Sequence, residues 1–485
     1  MFMITGSGGE VGYKLVVVQT VRTTMSCMEV IGRERELSRL ASAWQNAETG
    51  RPELAVVWGR RRVGKTYLLS HFAGSRRSVY FTATRQDTEE RQLERFTERL
   101  REQLGESVTD EMTGPFPTWE AALRFVARLA RHEPLLVVID EAPRLSSTAG
   151  DFGDVVSAVW ENHVRDQKLM LVLSGSAVAV IEEMLGPRGG MHRRPTVELR
   201  MDPFSFREAV AFLPELDGED FLQAYAACGG YPLHLRRWSP ESSVVENLTE
   251  LAFTPGGLLL GDGPDILSED LDWRGGYERV LAAMGRGARR RSRIAGRAQQ
   301  RIDYTLDRLR RAGYVRRVRP IGAEAGDDPQ YEIGDDYLAF WFSVLRDDLD
   351  LIEGGQGDAV RRRADGRWQT HVARVLESAA RAHARSMVDK GELPGDTVVG
   401  RWWRDETAEV DVAAIAPDGS PVLVGECKWS SKPISVRELS ELRRKAALIG
   451  GSAEPIYAFW SRGGAAQLAA DYPDVWSFTC DDLLP

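Results

Sequence analysis

The octapeptide GRRRVGKT (59–66) constrains this chain more than any other segment. It follows the apolar run LAVVWG and fits the spacing G-x-x-x-x-G-K-[ST]. The two glycines let the backbone curl until its N–H groups converge on a phosphate chain, and the helix predicted for YLLSHF adds a favourable dipole. Lys65 would reach the outer phosphates and Thr66 would ligate Mg²⁺. The candidate nucleotide-binding residues are Gly59, Arg60, Arg61, Arg62, Val63, Gly64, Lys65, Thr66 and Tyr67.

Short apolar runs alternate with helical patterns from about residue 29 to 235. LAVVWG (54–59), VYFTA (79–83), LLVVID (135–140) and LMLVLSG (169–175) are rich in β-branched residues and almost wholly apolar. Strands covered on both faces of a parallel sheet have this composition. The segments between them place apolar residues at helical spacing, which predicts an α/β domain. A chance glycine-rich turn, the alternative for 59–66, fits this strand–loop–helix context poorly.

Charged residues follow two of these strands. Asp140 ends the third strand, where a buried acid is costly unless it serves a cation, here hydrated Mg²⁺. Glu141 is placed to orient or deprotonate an attacking water. Ser174 at the end of the fourth strand would sense the outer phosphate. Arg193 and Arg194 are candidates for an arginine finger reaching a neighbouring subunit of a homo-oligomer, with a surface basic pair as the alternative.

Composition narrows the classes of protein. The chain has 485 residues, enough for two to four domains at about 150 residues each. Its net charge of −9 excludes a uniformly basic polyanion binder, and its four cysteines lie too far apart for a thiolate zinc site. No apolar run approaches the ~20 residues of a membrane span, and LVVV is too short for a signal-peptide core. We therefore expect a cytoplasmic protein without membrane contact, whose residues 1–28 form a tail with Met25 and Met28 as alternative starts.

The middle of the chain carries a local excess of positive charge. Residues 201–271 are interpreted as a helical lid and linker, with turns predicted at TPGG and GDGPD. Residues 272–345 predict a winged helix, because QQRIDYTLDRLRRAGYV has helical periodicity and YVRRVRPI and QYEIGDDY follow as two strands. Between Glu278 and Asp303 there are no acids but many arginines. This run is a candidate DNA contact, and a solvated face or a protein-docking module is the alternative.

Two strands in the last third bring acids together. EVDVAAI and VLVGECKW flank a predicted turn at 417–419. Glu426 and Lys428 share one strand face, and the antiparallel hairpin places Asp411 beside them. Two carboxylates and a lysine there predict a Mg²⁺ site in which Lys428 polarises a water or a scissile phosphate. Glu377, on the preceding helical stretch, would complete the set.

IGRERELSRL, GRRRVGKT, VVIDEA, LSGS and GGYPLHL, in that order, resemble the archaeal-type ATPases of the AAA/STAND group of P-loop proteins. In that family the first of these stretches helps frame adenine, so Ile31 and Gly32 become candidate base contacts. The absence of N-K-x-D also favours ATP over GTP.

The segments DWRGGYERVL, YEIGDDYLAFWF and GRWW…EVDV…GECKW resemble the PD-(D/E)xK nuclease core in its variant fused behind such ATPases. The resemblance implies that Glu377, Asp411, Glu426 and Lys428 are metal-binding and catalytic residues. Val410 stands where the motif has proline, a common departure.

The favoured fold is α/β, with a P-loop ATPase core (29–200), a helical lid and linker (201–271), a winged helix (272–345) and a restriction-endonuclease-like domain (346–485). The favoured function is an ATPase whose nucleotide state controls a DNA-binding, Mg²⁺-dependent nuclease half. The alternative is an ATP-dependent switch or scaffold with an inert nuclease-like fold that docks a protein. A metabolic kinase is disfavoured because no second small-substrate domain is visible.

Overall fold

A computed structural model describes residues 30–105, 114–146, 152–268, 276–322, 329–404, 408–451 and 454–485. The chain divides into two compact units, Met1–Asp202 and Pro203–Pro485. The tail assigned to residues 1–28 lies outside the described residues.

The first unit is built on a five-stranded parallel sheet with strand order β2-β3-β4-β1-β5. The strands are β1 (Glu53–Trp58), β2 (Ser78–Thr82), β3 (Leu135–Asp140), β4 (Leu169–Gly175) and β5 (Val197–Arg200). The four strands predicted from apolar runs are confirmed. The fifth was missed because its four residues alternate between buried and exposed, as suits a short edge strand.

Seven helices connect these strands in the described part of the first unit. They are α1 (Glu34–Glu48), α2 (Lys65–Gly74), α3 (Glu89–Leu104), α4 (Trp119–Leu129), α5 (Pro143–Ser146), α6 (Phe152–His163) and α7 (Val178–Leu185). Helix α1 packs on β1, β4 and β5. A core of aliphatic strand residues meets the packed rings of Phe81, Phe96 and Trp119 where α3 and α4 cover the sheet. This buried layer fixes the strand ends that carry the polar residues.

The second unit begins with a helical region. Its helices are α8 (Phe206–Ala209), α9 (Gly218–Cys228), α10 (Pro232–Arg237), α11 (Val244–Ala252), α12 (Leu258–Ser268), α13 (Gly276–Gly285), α14 (Arg291–Ala298) and α15 (Asp303–Arg311). The antiparallel strands β6 (Val315–Val318) and β7 (Gln330–Ile333) follow α15. These two strands and the helix before them were predicted.

The turn predicted at GDGPD (261–265) is wrong, because this segment lies inside α12. Pro264 has no N–H to donate to the carbonyl oxygen of Leu260, a loss that normally weakens a helix. The indole Nε1 of Trp341 donates to that oxygen instead, at 2.9 Å. A Cβ on Gly263 would lie 2.6 Å from the same indole ring, so glycine permits this approach. Tertiary packing therefore overrides the local turn signal.

The rest of the second unit is a mixed sheet against two helices. Helical turns run from α16 (Asp336–Phe340) through α17 (Leu349–Leu351) and kink at Gly355, where φ is 80°, before the long α18 (Gly357–Asp389). The helices α19 (Val436–Ile449) and α20 (Ala466–Asp471) follow. The strands are β8 (Val398–Arg404), β9 (Ala408–Ile415), β10 (Pro421–Lys428), β11 (Ile456–Ser461) and β12 (Val475–Phe478). Their order is β12-β11-β10-β9-β8, with β8, β9 and β10 antiparallel and β10, β11 and β12 parallel. The predicted hairpin at 417–419 is confirmed. No helix in the described ranges is long and apolar enough to cross a bilayer.

Candidate functional site

The predicted phosphate loop leaves the carboxyl end of β1 and enters α2. Gly59 has φ of 154°, and a Cβ there would lie 1.9 Å from the carbonyl oxygen of Met201, so only glycine fits. Lys65 is 5% exposed, and its Nζ donates to the carbonyl oxygens of Gly59 (2.7 Å) and Arg60 (2.8 Å). The ammonium of Lys65 is therefore hydrogen-bonded to its own loop. An incoming phosphate would compete with these two carbonyl oxygens for the ammonium.

The remaining loop residues have different environments. Arg60 and Val63 are buried, whereas Arg61, Arg62 and Tyr67 are half-buried. Their side chains do not form one uniform surface. What the loop shares is its backbone, which is the part that cradles phosphates in loops of this type.

A carboxylate and a hydroxyl meet beside this loop. Thr66 Oγ1 donates to Asp140 Oδ2 at 2.9 Å, and the hydroxyl of Tyr80 donates to the same oxygen at 2.9 Å. Burial, and then the charge of Asp140, raise the pKa of Tyr80 well above its usual value, so the phenol stays a donor. One carboxylate and one hydroxyl, completed by phosphate and water oxygens, fit the octahedral preference of Mg²⁺. The sequence did not point to Tyr80, because an apolar strand gives no signal for its one polar contact.

Glu141 adopts φ of 56°, an uncommon conformation for a residue with a Cβ. Its carboxylate accepts from the backbone N–H of Ser176 at 3.3 Å and from the Ser176 hydroxyl, and Arg144 Nη2 lies 4.0 Å away. The predicted sensor Ser174 is fully buried, and its hydroxyl has no hydrogen-bond partner within the described chain. Ser176, two residues on, is the serine that reaches Glu141.

The IGRERE stretch anchors to the loop through an arginine. Ile31 and Gly32 are half-buried, and the N–H of Gly32 donates to Glu34 Oε1 at 3.2 Å. Arg33 is 8% exposed and donates to the carbonyl oxygens of Val63 (3.4 Å) and Asp202 (2.7 Å). This arginine, which the sequence analysis did not select, ties the start of the unit to the phosphate loop.

Arg193 and Arg194 precede β5, at the amino edge of the sheet, whereas the phosphate loop follows β1 at the carboxyl edge. Arg194 forms an ion pair with Glu161 of α6. Both arginines are exposed. The sheet therefore separates them from the phosphate loop of their own subunit.

The predicted acids of the C-terminal third meet on the β9–β10 hairpin. The register pairs Val412 with Gly425, which sets Asp411 against Glu426. Asp411 Oδ2 accepts from the N–H of Cys427 at 2.9 Å. Glu426 Oε1 accepts from Lys428 Nζ at 3.0 Å, as the shared strand face predicts.

Helices on either side add charges to this hairpin. Lys445 of α19 donates to Glu426 Oε2 at 2.9 Å, and Arg381 of α18 donates to the carbonyl oxygen of Asp411 at 3.0 Å. Glu377 lies one turn before Arg381, at 3.8 Å from its Nη1. Lys445 and Arg381 were not found from the sequence, since basic residues on an amphipathic helix usually only face solvent.

The hairpin carboxylates repel one another. Burial, and then the charges of Glu377 and Glu426, raise the pKa of Asp411 to about 7. Burial also raises the pKa of Glu377, against the opposing effects of Arg401 and Arg381. Burial alone would lower the pKa of Lys428, but the charge of Glu426 raises it. Such shifts are typical of functional clusters, although structural ion-pair networks also produce them.

This cluster fits a divalent cation only in part. Within the described residues, no three His, Cys, Asp or Glu side chains form a group that could hold a metal ion. Asp411 and Glu426 are the pair best placed for one, because a cation would offset their repulsion. Both oxygens of Glu426 are engaged by lysines, so a cation would have to displace at least one of them.

Several arginines of the predicted DNA-contact run pair with acids elsewhere in the unit. Arg286 forms a bidentate pair with Asp347, and Arg289 lies 3.6 Å from Glu409. Arg291 pairs with Asp303. The excess of positive charge is therefore partly neutralised in the fold, by Asp303 at the end of the run and by the more distant Asp347 and Glu409.

Comparison with known proteins gives two family matches. Residues 31–237 match the family of ATPase domains found predominantly in Archaea. Residues 341–442 match a family of archaeal and bacterial proteins of unknown function, and this range includes the four predicted metal-site residues.

Related proteins are distant. An uncharacterized protein of Methanocaldococcus jannaschii is 23% identical over 433 residues, which cover 87% of this chain and 92% of that protein. A Walker-type ATPase of Pyrococcus abyssi aligns with a TM-score of 0.48 at 17% identity, over 66% of this chain and 99% of that chain. The ORC2 protein of Aeropyrum pernix aligns with a TM-score of 0.43 at 13% identity, over 68% of this chain and 98% of that chain.

The phosphate loop and its acidic partner strand both lie within the segment that matches this family of ATPase domains, which supports an ATP-binding ATPase domain there. In this particular chain, residues 341–442, which include the first three strands of the mixed sheet, match the family of unknown function.

Proposed function

We propose that the chain is an ATPase whose nucleotide state controls a DNA-binding, metal-dependent nuclease half. The observation that carries the nuclease part is the juxtaposition of Asp411 with Glu426 and Lys428 on one hairpin. An acid pair and a lysine at such a place suit metal-assisted hydrolysis of a phosphodiester.

In this proposal the C-terminal domain is a restriction-endonuclease-like fold. The order helix, three antiparallel strands, helix, parallel strand supports it. Asp411, Glu426 and Glu377 would have to move closer together to hold Mg²⁺, which would supply charge stabilisation when bound. Lys428 would orient the attacking water, because its ammonium already lies on the Glu426 oxygen. Release of Lys445 from Glu426 would free that carboxylate for the cation.

The ATPase roles follow from the first unit. Lys65 and the loop backbone would bind the phosphates, while Thr66 and Asp140 would hold Mg²⁺. Glu141 would position the attacking water after leaving Ser176. Ile31 and Gly32 would contact adenine. Arg193 or Arg194 would serve a neighbouring subunit in a homo-oligomer, which is consistent with their place on the opposite edge of the sheet.

The segment from α13 to β7 would be a winged helix that contacts DNA. Three short helices followed by an antiparallel pair of strands support this assignment. The arginines between residues 279 and 301 would supply phosphate contacts. Since neither of these activities needs a membrane, we place the protein in the cytoplasm.

A second candidate function is an ATP-dependent switch or scaffold with an inert C-terminal fold. One observation favours it: Lys428 and Lys445 together occupy both oxygens of Glu426. An acid held in this way can serve as a structural ion pair. The domain would then dock a protein partner instead of cutting DNA.

Cleavage of supercoiled and single-stranded DNA with Mg²⁺ or Mn²⁺, with and without ATP, separates these functions. Cutting that is lost in Asp411→Ala supports the nuclease, and a change on adding ATP supports control by the nucleotide. The matched control is Asp418→Ala, in the exposed turn of the same hairpin. Absence of cutting by a protein that hydrolyses ATP would favour the scaffold.

A further inference from the structure

A cavity of about 70 Å³ lies in the second unit between α18, the β6–β7 hairpin and the end of α13. Four arginines line it, namely Arg289, Arg316, Arg374 and Arg381. About 15 Å³ of such space admits one water, so the cavity has room for a phosphate group and its hydration.

Three carboxylates line this cavity beside the arginines, namely Glu332, Asp336 and Glu377. Glu332 forms an ion pair with Arg401, which also binds Glu409. Burial alone would raise the pKa of Glu332, but the neighbouring guanidinium groups, Arg401 first, lower it. Glu409 in turn lies 3.6 Å from Arg289. These pairs offset the charges of Glu332 and Glu409, while Asp336 and Glu377 remain on the wall beside the four arginines.

Arg374 is near Glu377 and Glu332, whose charges favour its protonated form, but it forms no direct pair with either. Across the described parts of the chain, its guanidinium has neither a hydrogen bond nor an ion pair. Burial, and then the adjacent Arg289 guanidinium, lower its pKa. Burial and the charge of Arg289 both disfavour the protonated form of Arg374, and an anion bound in the cavity would offset them. Arg374 therefore lines the cavity with donors that an anion can use.

The cavity adjoins the hairpin acids through α18. Glu377 and Arg381 both line the cavity. Arg381 also donates to the backbone carbonyl of Asp411 at 3.0 Å. A group held by Arg374 and Arg381 would therefore lie along the same helix as the carboxylate cluster.

We propose that this arginine-lined cavity binds a backbone phosphate of the nucleic-acid strand whose neighbouring linkage faces Asp411 and Glu426. Guanidinium forks match the geometry of phosphate oxygens and form paired hydrogen bonds with them. The cavity would fix the register of the strand on the hairpin. This inference rests on the proposed nuclease function, because it takes DNA as the source of the phosphate.

The test is binding of a fluorescein-labelled 20-nucleotide single strand to the full chain in EDTA, where no cleavage occurs. The variant is Arg374→Gln. The matched control is Arg362→Gln, which removes the same charge from an exposed position of α18. Removing one phosphate contact should weaken binding several-fold and reduce the slope of log K against log salt by about 0.7. Thermal unfolding midpoints establish that both variants are folded.

The outcomes separate the inference from the proposed function. Binding that weakens in Arg374→Gln but not in Arg362→Gln supports the inference. Equal binding by both variants overturns it and leaves a DNA-binding nuclease intact. No DNA binding by the unmodified chain overturns both.

Calorimetry with inorganic pyrophosphate identifies the source of the phosphate. It is carried out in a Lys65→Ala background to weaken uptake by the phosphate loop. Binding that needs Arg374 in a chain that does not bind DNA would show a site for a free phosphate compound and refute the DNA assignment. If pyrophosphate binding is independent of Arg374 and DNA binding depends on it, the assignment to a strand phosphate stands.

Discussion

Replacing Asp411 by asparagine should stabilise the second unit in a strongly pH-dependent way. The pKa of this carboxyl is raised from 3.8 to about 7 by burial and then by Glu377 and Glu426. Because the folded-state pKa lies above the unfolded one, the folded state binds the proton more tightly. Stability from this group is therefore complete below pH 3.8 and is lost as pH rises towards 7.

The magnitude follows from the shift. About three pKa units at about 1.4 kcal/mol each correspond to roughly 4 kcal/mol of unfavourable charge at pH 8. Asparagine removes that charge at every pH and still accepts from the N–H of Cys427. We expect the free energy of unfolding of Asp411→Asn to exceed that of the parent chain by a few kcal/mol at pH 8 and by little at pH 4.5.

Hydrogen exchange of β9 and β10 peptides in increasing urea measures this stability within the second unit. Asp418→Asn, at the exposed turn of the same hairpin, is the control for loss of a carboxylate. Mg²⁺ should protect these peptides in the parent chain at pH 8 but not in Asp411→Asn. A stability difference that is the same at pH 4.5 and pH 8 would refute the reasoning.

Three further predictions concern other groups. Glu141→Gln should bind ATP and hydrolyse it slowly, whereas Lys65→Ala should lose nucleotide binding. Normal turnover by Glu141→Gln in a phosphate-release assay would show that Glu141 does not position the attacking water. Tyr80→Phe deletes one donor to Asp140, worth about 1 kcal/mol, so the Mg²⁺ concentration that half-saturates the ATPase should change about five-fold. Burial lowers the pKa of His371 to about 4. Its folded-state pKa lies below the unfolded 6.5, so stability is lost as pH falls, and between pH 7 and 5 the parent chain should lose about 2 kcal/mol more than His371→Gln in urea titrations.

Local patterns were enough to predict the phosphate loop, four of the five strands of the first sheet and the β9–β10 hairpin. A wholly apolar run of four to eight residues predicts a buried strand, and the polar residue at its end marks where that strand reaches the edge of the sheet. Alternation along a strand likewise placed Glu426 and Lys428 on one face, and the turn length placed Asp411 opposite them. These features depend on residues that are near one another in the chain.

Only the tertiary structure decided which distant groups complete the sites. Tyr80 reaches Asp140, and Ser176 reaches Glu141, because parallel pairing aligns the strand ends. Lys445 reaches Glu426 because α19 packs against β9 and β10. Strand register and helix packing are set by the whole core, so no short sequence window contains them.

The helix through Pro264 shows that a distant residue can also override a local sequence signal. Its glycines and proline predicted a turn, yet Trp341, far along the chain, supplies the hydrogen bond that the proline cannot. The sequence by itself determined that this chain holds a P-loop domain and a hairpin with paired acids. The tertiary structure decided which side chains face those acids, because electrostatic and packing partners are chosen by proximity in space and not by separation in sequence.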